Sequence, residues 1–176
     1  MIEHRSYIVA EIPEPVRSQV QALRDSLNTI TARLPVEITL AGSSGVGPIP
    51  AGADLSLIKR HLDRILSNMS PFLARFSAIR AFPNTSIFYL EPFDRSPFDH
   101  LHQELRNSGI PFSEVRWPYN PHCTLRGGKP LGADAAFELA SRSFPQEEFR
   151  INTISVYQLD DTSLDCKLLC QRALGA

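Results

Sequence analysis

Two short strings in this chain carry side chains that can move a proton beside a phosphate. They are Glu37-Ile38-Thr39-Leu40 in the first half and His122-Cys123-Thr124-Leu125 in the second. In an extended strand, residues two apart share a face. His122 and Thr124 therefore project together while Cys123 and Leu125 pack behind them. The same parity sets Glu37 beside Thr39 and hides Ile38 and Leu40. Each string thus offers one titratable group and one hydroxyl to a common face. A hydroxyl donates to a phosphate oxygen. An imidazole, with an ordinary pKa near ~6.5, serves as acid or base at neutral pH. A glutamate, ordinarily near ~4.3, accepts a proton at pH 7 and donates poorly unless burial raises its pKa. These reference values assign Glu37 as base and His122 as acid. The plainer reading makes His122 an ordinary half-buried strand histidine.

Other residues near the two strings are candidates for holding a ligand. Arg126 follows His122 and can neutralise a phosphate, or serve as ordinary surface charge. Residues 42–48 are glycine-rich but lack the Lys-Ser/Thr of a P-loop. They read as a flexible lip from which Ser43 reaches a phosphate. Trp117 and Tyr119 can stack on a base, or anchor their proline-flanked loop. His100 and His102 lie two apart on a helix, face apart and are expected in solvent. His61, beside Lys59 and Arg60, reads as surface, and His4 belongs to a loosely held N-terminal segment. Cys166 and Cys170 are four apart with no neighbours to complete a zinc set, so no metal and no cofactor are expected.

The elements that must position these groups follow from periodicity. Residues 6–12 read as a buried strand ended by Pro13. Val16, Val20, Leu23, Leu27 and Ile30 form one helical stripe, predicting a helix from Pro15 to about Arg33. A strand over 36–41, a loop and a helix over about 54–69 come next. Residues 72–82 and 86–91 predict two strands joined at Pro83-Asn84. Ser96-Pro97 opens a helix that stops near Gly109. Residues 111–120 read as loop or irregular strand, and 121–126 as a strand. A helix over 132–142 and strands near 148–159 and 165–172 complete the chain. Strand, helix, turn and strand therefore occur twice, over residues 7–40 and 87–125, and each copy ends on one of the two strings. Two such halves face to face set both strings across one cleft.

Composition bounds the rest. With 176 residues and 43% hydrophobic content, the chain is expected to form one domain over residues 1–176. The formal net charge of −1 excludes a whole-molecule basic field, so any contact with RNA or nucleotides is local. No apolar run is long enough to span a membrane, and the first residues lack a secretory h-region. Three cysteines without a secretory signature point to reduced thiols in a cytoplasm. No protein partner is legible, which leaves a monomer as the expectation.

In order and context, these elements resemble the two-histidine (2H) phosphoesterases, also called the LigT-like or 2′-5′ RNA ligase-like family. Its members carry two H-x-T/S-hydrophobic motifs, one per half. The resemblance covers most of the chain. The second motif is intact at His122, Thr124 and Leu125, and Arg126 follows where a basic residue is common. The first departs from the pattern, because Glu37 stands in the place of a histidine while Thr39 is kept. The resemblance implies an α+β, two-lobed fold with antiparallel sheets around a central cleft and helices outside. It also implies metal-free phosphodiester chemistry on cyclic phosphates or 2′-5′ linkages of RNA or nucleotides, with the threonines holding the phosphate. The substitution at Glu37 implies weakened activity or, alternatively, a catalytically degraded module that binds nucleotides or RNA ends on the same fold; a third reading is a protein that shares only the architecture and acts on an unrelated small phosphorylated or acylated metabolite.

Overall fold

The computed structural model describes residues 1–27 and 30–175. Strands β1 (Ser6–Glu11), β2 (Glu37–Ala41), β8 (Thr153–Leu159) and β9 (Cys166–Ala173) form a four-stranded sheet in the order β2-β1-β8-β9. Strands β4 (Phe76–Ala81), β5 (Phe88–Pro92) and β6 (Cys123–Arg126) form a three-stranded sheet in that order. Two short strands, β3 (Phe72–Ala74) and β7 (Phe149–Ile151), pair with each other. All pairings are antiparallel.

The internal repeat is visible as a doubled unit. Strands β1 and β2 pair around helix α1 (Val16–Ser26), as β5 and β6 pair around helix α3 (Ser96–Arg106). Alternation decides which face is hidden. Ile8, Ala10, Ile38, Leu40, Ile154 and Val156 are sealed from solvent, as are Leu90, Cys123 and Leu125 of the second sheet. Glu37 and Thr39, like Thr124 and Arg126, alternate with them on the opposite, partly open face. Helices α2 (Leu55–Leu66) and α4 (Ala133–Ala140) complete the helical set. Helix α2 is capped by Asp54, whose carboxylate accepts from the Ser56 N–H at 2.9 Å. One apolar cluster runs through both halves.

Three expectations are corrected. The helix expected to reach Arg33 ends at Ser26, and Ile30–Arg33 forms a separate 3-10 turn. β-Branched and asparagine residues in this stretch favour helix ends over helix interiors. Asn28 and Thr29, within the expected helix, and the side chain of Ile30, expected on its stripe, lie outside the described residues. The single strand expected over 72–82 breaks at Arg75, because β3 pairs with β7 and β4 pairs with β5. The strand expected over 148–159 likewise divides at Asn152 into β7 and β8. No helix among the described residues is long and apolar enough to cross a membrane.

Candidate active site

Strands β2 and β6 are edge strands of different sheets, yet they lie against each other. Their polar edges meet through side chains. Arg24 of α1 is only 2% exposed, and its Nε donates to the Thr124 carbonyl at 2.8 Å. Its Nη1 donates to the carbonyls of Leu34 and Pro35 at 2.8 and 2.9 Å, just ahead of β2. The Thr31 hydroxyl donates to the Leu125 carbonyl at 3.0 Å. The backbone N–H of Glu37 is directed at the Cys123 sulfur, whose thiol burial pushes up to about 11. The two four-residue strings are thereby held side by side, one from each half.

His122 immediately precedes β6. Its Nδ1 lies 2.6 Å from the Asn120 carbonyl oxygen, which can only accept. That contact assigns the proton of the neutral ring to Nδ1 and leaves the lone pair on Nε2. Phe82 and Tyr89 meet the ring edge-on, at centroid distances of 5.0 and 5.3 Å. Burial among them lowers its pKa from the ordinary histidine value, against the opposing effect of the Asn120 carbonyl.

Glu37 is perturbed the other way. Its Oε1 accepts from the Thr39 hydroxyl at 3.0 Å, while Oε2 is sealed from solvent with no hydrogen-bond partner among the described residues. Burial pushes its carboxyl up to about 7, opposed by the Thr39 hydrogen bond and the Arg24 charge and reinforced by Glu11. Glu11 sits directly opposite Glu37 in the β1–β2 register and accepts from the Tyr157 hydroxyl at 2.8 Å.

The remaining candidates divide. Thr124 shares the open face with His122, whereas the Thr39 hydroxyl is engaged by Glu37. Arg126 is held by the carbonyls of Ser86 and Lys129 at 3.0 and 2.9 Å, beside β6. Ser43 is exposed in the 42–48 loop. Trp117 is 62% exposed, with the Arg116 guanidinium 5.0 Å from its ring centre. Its carbonyl accepts from the Gly45 N–H at 2.9 Å, which joins the two loops.

Tyr119 takes the second of its two expected roles, that of a packing anchor. One face of its ring is covered by His102, stacked at 3.8 Å and 3° from parallel, and its hydroxyl donates to the Thr39 carbonyl at 3.2 Å. It is a prop behind β2, not an open stacking face. His102, expected in solvent, is 6% exposed, with Nδ1 2.7 Å from the Leu40 carbonyl. Its inward position was legible: it lies four after Phe98 and three before Leu105, on the buried stripe of α3. His100 does face solvent.

Residues 12–163 match the family model described as the 2′-5′ RNA ligase superfamily. The TT0787 protein of Thermus thermophilus has a similar solved structure, with TM-score 0.68 and 18% identity over 98% of each chain. LigT of E. coli is similar in its complex with 3′-AMP, with TM-score 0.61 and 14% identity, and in its complex with phosphate, with 0.64 and 13%, each over 99% of both chains. No curated protein sequence matches the chain.

Proposed function

The chain belongs to the 2′-5′ RNA ligase superfamily, and on that premise we propose that it is a phosphodiesterase in which His122 is the general base and Glu37 the general acid. Membership supports phosphodiester chemistry in general terms. The proposed substrates are cyclic phosphates or 2′-5′ linkages of RNA or nucleotides, in keeping with solved LigT complexes with 3′-AMP, ATP and NADP+.

The observation that carries the assignment is a pair of opposite shifts. Histidine below its ordinary range is neutral near pH 7 and carries a free Nε2 lone pair. Glutamate pushed up to about 7 still carries a proton on a large fraction of molecules. Environments that drive two titratable groups apart mark an acid and a base. The roles are therefore the reverse of those that reference pKa values assign.

With a 2′,3′-cyclic phosphate, a water proton passes to His122 Nε2 as the water oxygen bonds to phosphorus. The bond from phosphorus to the leaving ribose oxygen breaks, and that oxygen takes the proton of Glu37. The product is a phosphomonoester beside an imidazolium and a carboxylate, which solvent exchange resets. Thr124 offers its hydroxyl to the phosphate, while Thr39 orients the acid. Trp117, exposed on the joined loops, offers a face for a base.

The reaction requires His122 neutral and Glu37 protonated. Turnover should fall as pH drops through the lowered His122 pKa, and fall again as pH rises through about 7. Wild type, His122→Ala and Glu37→Gln are compared with EDTA present on a 2′,3′-cyclic nucleotide and on an activated nitrophenyl phosphodiester. His122→Ala should lose roughly 10²–10⁴-fold on both substrates. Glu37→Gln should lose a comparable factor on the cyclic nucleotide but little on the nitrophenyl ester, whose leaving group needs no proton. Equal losses on both substrates would make Glu37 the base. Unchanged turnover in His122→Ala would remove catalysis from this cleft. A second reading, a nucleotide-binding module without turnover, draws on the Thr39 hydroxyl being turned to Glu37. A silent wild type that binds a cyclic nucleotide would select it.

A further inference from the structure

We infer that Arg24 is a positioning residue that lends the cleft a buried positive charge with no carboxylate paired to it, drawing a phosphate anion to Thr124. The inference rests on the phosphodiester reading of the cleft. Arg24 is the largest of the fully buried side chains. Its donors are occupied by the carbonyls of Thr124, Leu34 and Pro35, with the Cys123 sulfur 3.8 Å from Nη2. Among the described residues it has no carboxylate within ion-pair distance.

Carbonyl dipoles satisfy the guanidinium N–H groups but leave its net charge in place. A buried cation is costly without a counter-charge, and Glu37, the carboxyl whose pKa Arg24 lowers, is itself held half-protonated by burial. A phosphate held at Thr124 would supply the missing charge at the residue whose carbonyl the Arg24 Nε already binds. The Arg24 charge would offset, for an incoming anion, the formal charge of −1 and the glutamate at the site. It also distinguishes Arg24 from a mere stitch between α1 and β6, since Thr31 already ties the 3-10 turn to that strand. Around Glu37 the charged and titratable neighbours are Arg24 of α1, Glu11 of β1, Tyr119 of the loop, Cys123 of β6 and Cys166 of β9. Among these described neighbours only Arg24 is positive.

The test uses the full chain, inorganic phosphate by calorimetry, and the Glu37 carboxyl followed by carbon-detected NMR through a pH titration. Arg24→Gln should weaken phosphate binding on the order of tenfold and raise the Glu37 midpoint by about one pH unit. Arg24→Lys, which keeps the charge and loses the fork, should lower thermal stability while retaining phosphate affinity within about threefold. Unchanged affinity and an unmoved Glu37 midpoint in folded Arg24→Gln would overturn the inference and leave the proposed function intact. If Arg24→Gln does not fold, a folded Arg24→Lys that loses phosphate binding overturns it instead. Wild type that neither binds phosphate nor turns over a cyclic nucleotide would overturn the functional reading and this inference with it.

Discussion

A carboxyl group that titrates near 7 in the folded chain and near its ordinary 4.5 in the unfolded one holds its proton more tightly when folded. Folding stability therefore falls as pH rises through that window, because the unfolded chain ionises first. The full loss, about 3 kcal/mol, is in place above pH 7. Glu37→Gln abolishes this titration. Its stability relative to wild type should grow by up to about 3 kcal/mol between pH 4.5 and pH 8, measured by denaturant melts at both values. A pH-independent difference would mean that the carboxyl is not perturbed. His122 has the opposite sign, its lowered pKa removing stability as pH falls. Residue type and strand parity placed Glu37, Thr39, His122 and Thr124 on their faces. The opposite pKa shifts of Glu37 and His122 were not legible, because they depend on burial by side chains that the chain brings from distant segments, Phe82 and Tyr89 around His122 among them. Arg24 did leave a trace: Val16, Val20 and Arg24 stand four apart on one row of α1, and all three are buried.

At the scale of elements, the loop over 42–48 is clasped to the loop over 111–120. The Gly45 N–H bonds to the Trp117 carbonyl, and the Ser113 N–H to the Pro48 carbonyl at 2.8 Å. Gly47 lies between them at φ +84, where a methyl group would overlap the Ser113 carbonyl oxygen. Gly52, at φ +85, has open space around it. Both positions carry the cost of a left-handed backbone, about 1–2 kcal/mol for alanine. Gly47→Ala should cost a further ~1–3 kcal/mol from overpacking, seen as a lower Tm than Gly52→Ala. Equal melting temperatures would mean that the two loops are not clasped. The glycine pattern marked residues 42–48 as a loop, but not its partner. Periodicity likewise gave the order of helices and strands, yet missed the break at Arg75. That break is set by which sheet each side joins, a choice made by contacts with Phe149–Ile151 far along the chain.

For the whole molecule, charge sets how substrates are met. With a formal net charge of −1, long-range steering toward nucleic acid is weak. Raising salt from ~50 to ~200 mM should lower kcat/KM for a 2′-5′-linked RNA oligomer only about threefold, the response to one gripped phosphate. A loss of a hundredfold or more would reveal several gripped phosphates and a longer nucleic-acid track. The two-lobed α+β arrangement itself was legible from the repeated strand–helix–strand unit. The interleaving of the first and last strands was not, since nothing in β1 announces β8 as its neighbour. That interleaving makes the order of synthesis matter. Strands β4, β5 and β6 leave the ribosome close together and can pair as a unit, whereas β1 must wait for β8 to emerge. At roughly 5–20 residues per second, the nascent chain carries one open ladder of β1 for on the order of ten seconds. During that interval β1 is an unpaired strand edge, the kind of surface that invites aggregation or a chaperone.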